Sequence, residues 1–282
     1  MQGKVIQKNS FQLKRRKHLW KIIVALATIA FLVYQQYYQQ PKSSQQDGHA
    51  KSLPDDLKYL LPKPTEDQIV HRSHYSFSYN EAHEQANWVA YQLKKEHLTD
   101  ADRERPYFYE DPLVTTQSAD WRNYKNSGYD RGHLCPAGDR RFSDEAYNET
   151  FFTSNIVPQK NDFNAGVWNR LEMQTRYWAK KYGSITVITA GVLKEGLPSI
   201  GYENVSVPEA FYKIIVVDVD RAIKAIAFLV PHQESNMQLD SFVVSVDEIE
   251  RLTGINFFEK LPDSIENALE SAVKTEGWFK SN

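Results

Sequence analysis

Tyr129-Asp130-Arg131-Gly132-His133-Leu134-Cys135-Pro136-Ala137-Gly138-Asp139 is the stretch on which the reading of this chain turns. Asp130 to His133 supply, in consecutive positions, a carboxylate, a guanidinium, a glycine and an imidazole. If the segment is extended, Arg131 and His133 leave on one face, because alternate side chains of a strand share a side. A second polar block, Thr153-Ser154-Asn155-Ile156-Val157-Pro158-Gln159, leads on to Asn164, Trp168 and Glu172. If a helix begins at or just after Asn164, Glu172 follows about two turns later on nearly the same side.

The residue types suggest a chemistry. His133 follows a glycine in a polar loop, which suits a general base that is neutral near pH 7. Any single one of the eight histidines, taken alone, is more often structural. Arg131 suits an anionic oxygen held by a charge-assisted pair; its other use is a salt bridge, with Asp130 at hand. The amide oxygen of Asn164 and the carboxylate of Glu172 suit a hard cation that keeps several of its waters. Their ordinary uses are a helix N-cap and a surface charge. A base, a guanidinium and hard oxygen donors are together the parts needed to hydrolyse a phosphodiester.

Outward from these blocks, the patterning mixes strands and helices without strict alternation, which predicts an α+β fold. Ser78-Tyr79-Asn80-Glu81 reads as a capping box opening a helix to about Lys95, with Ala82, Ala86, Val89 and Leu93 on its buried face. Arg103 to Pro112 reads as extended or looped. Ser143-Asp144-Glu145-Ala146 starts a short helix, and 165–182 forms a longer one packed through Val167, Leu171, Tyr177 and Trp178. Ser184 to Val192 is a buried strand, and 211–219 with 222–230 form a hairpin about Asp220-Arg221. Ser245-Val246-Asp247-Glu248 caps a helix ending at Gly254, and 264–275 is a last amphipathic helix.

Residues 1–46 hold eight Lys and Arg and no acidic residue, which leaves 26 basic against 36 acidic side chains in the remainder. A domain of that sign is not a general polyanion binder, so a nucleic-acid site needs a local positive potential. Lys14-Arg15-Arg16-Lys17 abuts an apolar run, Leu19 to Tyr34. This predicts a basic cytoplasmic N-terminus over 1–18, a signal anchor or transmembrane segment over 19–38, a flexible linker over 39–59 and a folded domain over 60–282. The anchor would hold the domain outside the cytoplasm, on the periplasmic or extracellular side. Export after signal cleavage and a mitochondrial presequence are the alternatives. The single cysteine, Cys135, excludes an intrachain disulfide and reads as a small packed side chain.

Asp130-Arg131-Gly132-His133 with Pro136-Ala137 and Asp139, then 155–159, Asn164, Trp168 and Leu171-Glu172, resembles the DNA/RNA non-specific endonuclease family. That family includes endonuclease G and secreted bacterial sugar-nonspecific nucleases. The resemblance extends over about residues 70 to 260, taking in Trp88-Val89-Ala90-Tyr91, Arg105, Asp111-Pro112 and 252–258. It implies a central mixed or antiparallel sheet flanked by helices, with a ββα-metal active site. It implies His133 as general base, Asn164 as direct Mg²⁺ ligand and Glu172 acting on the metal through water, with Mn²⁺ as a substitute ion. Arg131 and Arg105 would contact phosphate and Asn155 would support the site. DNA and RNA would be cleaved alike to 5′-phosphate ends, through backbone contacts. Beyond the substrates and the membrane, a homodimer is an expected partner. A non-catalytic binding module on the same fold, a phosphodiesterase for smaller esters and a tethered interaction partner are the competing readings. Loss of a base or metal ligand, activity on dinucleotides, or a silent metal-site variant would favour them in turn.

Overall fold

The computed structural model describes residues 55–63, 67–219 and 222–279. Helix α1 (Asp55–Leu60) precedes strands β1 (Gln68–His71), β2 (Ser76–Asn80) and β3 (Gln85–Lys94). A long loop leads to β4 (Asp130–His133), then helix α2 (Asp144–Glu149) and β5 (Ile156–Gln159). Helix α3 (Asn169–Tyr182) is followed by β6 (Ser184–Gly191), a small ribbon of β7 (Ser199–Ile200) and β8 (Val205–Ser206), β9 (Ala210–Val219) and β10 (Ala222–Pro231). Strand β11 (Val243–Val244) and helices α4 (Val246–Thr253) and α5 (Asp263–Glu270) complete it.

The fold is α+β. Its seven-stranded sheet runs β1-β2-β3-β6-β9-β10-β11, and each neighbouring pair is antiparallel. Strands β6 and β9 are buried along almost their whole length because both neighbours and both faces are covered. The predicted strand 184–192 and the hairpin of 211–219 with 222–230 stand where expected, with Val219 opposite Ala222. Helix α3 lies against β3, β6 and β9, and α4 and α5 lie against β10.

The helix expected over Ser78 to Lys95 is instead the hairpin of β2 and β3, in which Phe77 faces Val89 and Tyr79 faces Ala86. The helical spacing of Ala86, Val89 and Leu93 is incidental, because Trp88, Ala90 and Tyr91 between them are fully buried too. Apolar residues on both parities mark a central strand, and the sheet's neighbours decide it. Glu81 lies in the connecting turn, where Glu84 takes a positive φ of 53°. Ser78 sits at a bulge and accepts from Asn87. Ser143 and Ser245 do cap α2 and α4, through bonds to Ala146 and Glu248, and Gly254 ends α4 in the left-handed region. The last helix stops at Glu270, short of the expected 275. In the helix expected over 165–182, Val167, Leu171 and Trp178 are buried as predicted, but Tyr177 is exposed and Thr175 takes the inward position.

Segments 1–18 and 19–38, residues 39–54 of the expected linker over 39–59, and the Asp220-Arg221 turn lie outside the described residues, while residues 55–59 of that linker are instead helical, as part of α1. Among the described residues no helix is long and apolar enough to cross a membrane.

Candidate active site

Strands β4 and β5 pair antiparallel, with Asp130 opposite Gln159 and His133 opposite Ile156. Helical structure follows directly: a turn at Asn161–Phe163, a wide turn at Asn164–Trp168, then α3. Two strands and a helix thus enclose the two polar blocks. Asn164 Nδ2 donates to Asp130 Oδ2 at 3.0 Å, and Asn161 Nδ2 to the same oxygen at 3.1 Å. Asp130 therefore fixes which way the Asn164 amide faces. Among the described residues no donor reaches the Asn164 oxygen, which is left to take a ligand.

The wide turn improves on the spacing argument. In an unbroken α-helix, eight residues turn through two revolutions plus about 80°. A turn that absorbs one extra residue reduces the offset between Asn164 and Glu172 to about 20°. Gly166 makes the turn, with φ −98° and ψ −111°. Glu234 stabilises it: its Oε2 accepts from Val167 N at 2.9 Å, and a Cβ on Gly166 would lie 1.7 Å from that oxygen.

His133, Arg131 and Arg105 meet around two aromatic rings. The His133 ring centre is 5.7 Å from that of Phe108 and 5.1 Å, edge-on, from that of Phe151. The Arg105 guanidinium carbon is 5.7 Å from each of the same rings. That of Arg131 is 5.3 Å from Phe108 and 5.5 Å from Trp121. Among the described residues neither arginine has a carboxylate partner. The Asp130–Arg131 salt bridge is not made, because adjacent strand residues leave on opposite faces and Asp130 is taken up by Asn161 and Asn164. Burial, and then the charge of Arg105, push the His133 imidazole down to about 3, so it is neutral at physiological pH. Its Nε2 is buried without a hydrogen-bond partner. The loop carrying Arg105 is held by buried Asp111, which accepts from Arg72 Nε at 3.1 Å, Ser154 Oγ at 2.5 Å and Leu113 N at 2.9 Å.

Asn155 is fully buried. Its Oδ1 accepts from Cys135 N at 2.8 Å, and its Nδ2 donates to Cys135 O at 3.0 Å and Thr150 O at 2.9 Å. It clamps the backbone two residues beyond His133 and so positions that strand. Cys135 is fully buried, and burial pushes its thiol up to about 12, in line with a packing role.

Glu172 is no surface charge. Burial raises its carboxyl to about 7, against the opposing pull of Arg176 and Lys213. Arg176 Nη2 lies 3.4 Å from Glu172, while its Nε donates to Asp139 Oδ1 at 2.5 Å. Tyr91 donates to the other Asp139 oxygen at 3.1 Å. Glu172 is thereby tied to the end of the stretch that contains His133. Lys213, fully buried with Nζ 4.7 Å from the centre of the Trp168 ring, is pushed down to about 8 by burial.

The sequence reading missed the role of Asp130, the Arg176–Asp139 link, Lys213 and the aromatic wall. Lys213 carried a signal, as a lone charge in the apolar run 211–217. Arg176 carried another, four residues beyond Glu172 on a helix. Phe108, Phe151 and Trp121 are far apart in sequence and carried none.

The donor set suits a hard cation, because Asn164 and Glu172 present oxygen only and the Asn164 oxygen is turned out by Asp130. The chain is also similar to known proteins. Residues 55–264 match the sequence pattern described as DNA/RNA non-specific endonuclease. The chain is 35% identical over 221 residues to "Nuclease EXOG, mitochondrial" of Danio rerio, covering 72% of this chain and 64% of that protein. To "Mitochondrial nuclease" of Saccharomyces cerevisiae it is 32% identical over 256 residues, 82% of this chain and 78% of that one. The chain thus spans somewhat under two thirds of the zebrafish relative. A chain of the crystal structure of an EndoG/EndoGI complex superposes with a TM-score of 0.68 at 29% identity, covering 76% of this chain and 95% of that chain. With the ββα arrangement, the two polar blocks and these likenesses together, this chain belongs to the DNA/RNA non-specific endonuclease family.

Proposed function

We propose that this chain is a magnesium-dependent, sugar-nonspecific endonuclease that hydrolyses DNA and RNA to 5′-phosphate ends, with Mn²⁺ able to substitute. The observation that carries the reading is the meeting of a neutral, half-buried His133 with two guanidiniums that lack carboxylate partners, around Phe108 and Phe151. A phosphodiester held there finds positive charge without competing carboxylates, in a setting of low dielectric where such charge acts strongly. It also answers the acidic balance of the domain, since the positive potential is confined to the site.

His133 takes a proton from the attacking water, and the water oxygen bonds to phosphorus as the bond to the 3′ oxygen breaks. The departing 3′ oxygen takes a proton from solvent. Arg131 and Arg105 balance charge on the non-bridging oxygens. Asn164, and Glu172 through water, would hold the magnesium ion, which supplies Lewis-acid stabilisation of charge on the phosphoryl and leaving oxygens. Asp130 keeps the Asn164 oxygen turned outward, and Asn155 holds the strand that bears His133. Contacts through phosphate rather than base edges fit indifference to sugar and sequence. The relatives' names place them in mitochondria. That favours the mitochondrial alternative for the acid-free N-terminus over an anchor at 19–38 facing the periplasmic or extracellular side. A homodimer is proposed alongside, to be read from the mass in solution.

The test incubates the full chain with supercoiled plasmid and with RNA, in Mg²⁺ or chelator, beside His133→Ala. The expected result is metal-dependent cleavage of both polymers, lost in the variant while its circular dichroism is unchanged. Unchanged cleavage by His133→Ala would remove His133 from the reaction. No cleavage by the wild type in Mg²⁺ or Mn²⁺ would leave a non-catalytic module.

A further inference from the structure

Away from the candidate active site, α4 and α5 bring together a group of carboxylates that the nuclease reading does not use. Asp247 and Glu250 stand one turn apart on α4, and Glu270 is the last residue of α5. Each offers an oxygen within 4.8 Å of the others. Glu270 is only 7% exposed, and among the described residues its buried Oε1 has no hydrogen-bond partner. Glu250 is held in place by a bond from Phe257 N to its Oε1 at 2.7 Å.

Among the described residues nothing cationic offsets this group. Arg251, the nearest basic residue along α4, is bound to Glu248 at 2.9 and 2.6 Å. Among the described residues no lysine or arginine makes an ion pair with Asp247, Glu250, Glu266 or Glu270. Glu266 adds its charge from the preceding turn of α5, and burial together with Glu250, Glu266 and Asp247 pushes the Glu270 carboxyl up to about 7. Glu270 also ends its helix, where the backbone dipole opposes negative charge. A carboxylate cluster of this kind, partly buried and turned inward, is costly unless a proton or a cation occupies it.

We propose that Asp247, Glu250 and Glu270 form a second divalent-cation site, selective for calcium over magnesium, that clamps α4 to α5. The donors are all carboxylate oxygens, which selects a hard cation. Calcium takes six to eight oxygen ligands in a flexible geometry, whereas magnesium demands a near-ideal octahedron and is usually held by only one or two carboxylates. Three carboxylates brought together from two helices therefore favour calcium. Asp247 is exposed, leaving room for the waters that complete six to eight ligands. Both helices pack on β10, so the ion would fasten the C-terminal part of the chain to the sheet. The site does not depend on the nuclease reading, and it gives part of the domain's acidic excess a use.

The test is thermal unfolding of the full chain in EDTA, CaCl₂ or MgCl₂, for the wild type, Asp247→Asn and Glu270→Gln. Cation bound at the candidate active site contributes alike to all three, so the difference between them reports on this site. At a calcium concentration about one hundred times the dissociation constant, the wild-type melting temperature is expected to rise by about 5–10 °C. Both variants should lose most of that rise, and in EDTA should melt at or above the wild type because a repulsive charge is gone. If Glu270→Gln does not fold, Asp247→Asn at its exposed position carries the same comparison. An equal calcium shift in wild type and Asp247→Asn, or none in the wild type, would overturn the site. Equal shifts from magnesium and calcium would overturn its selectivity.

Discussion

Asn155 offers the sharpest separation of positioning from chemistry. Asn155→Ala removes three hydrogen bonds at a fully buried position, leaving Cys135 N–H, Cys135 C=O and Thr150 C=O without these partners. Each buried polar group left unsatisfied costs about 1–3 kcal/mol. Allowing for some relaxation, the sum is about 3–6 kcal/mol, a large part of the roughly 5–15 kcal/mol that holds a domain folded. Urea unfolding of wild type and variant measures it, and plasmid cleavage at a temperature where the variant is folded measures the consequence for His133. Both stability and activity per folded molecule should fall. Asn155→Asp should be no better, since it keeps the acceptor for Cys135 N–H but sets an oxygen against two carbonyls. A stability loss under about 1 kcal/mol with full activity would refute the clamp. Full stability with lost cleavage would instead make Asn155 a group that meets the substrate.

Asp130→Ala frees the Asn164 amide to turn, so the Mg²⁺ concentration for half-maximal cleavage should rise about 10–100-fold while excess metal restores most of the rate; an unmoved metal titration counts against the Asp130–Asn164 bond. His133 stays neutral in the fold down to about pH 3, whereas its ordinary value is 6.5. The unfolded chain therefore binds the extra proton between those values, so the stability involved is intact above pH 6.5 and lost as pH falls toward 3. Between pH 6.5 and about 4.5 the wild type should lose about 2–3 kcal/mol relative to His133→Gln; a constant difference between the two across that range would show that His133 is not buried in this way.

The sequence alone carried the chemistry. Asp130 to His133 and the span from Asn155 to Glu172 supplied the candidate base, guanidinium and oxygen donors, because these residue types at this spacing can be read without the fold. The β-branched run of 184–192 and the capped helix from Ser245 to Gly254 were equally legible, since strand burial and helix ends are set within a few residues. The segment 78–95 was misread because its apolar residues satisfy helical and strand periods at once. Only pairing with β6 on one side and β2 on the other selects the strand, and those partners lie outside any local window. The same limit explains the site. Arg105 reaches His133 through Phe108 and Phe151, and Glu172 reaches the His133 stretch through Arg176 and Asp139. Which way Asn164 faces is settled by a carboxylate 34 residues away. Local sequence determined which groups are present. The depressed His133, the raised Glu172 and the outward amide oxygen of Asn164 came from burial and from partners that only the tertiary structure brings within reach, because desolvation and charge act through space and not along the chain.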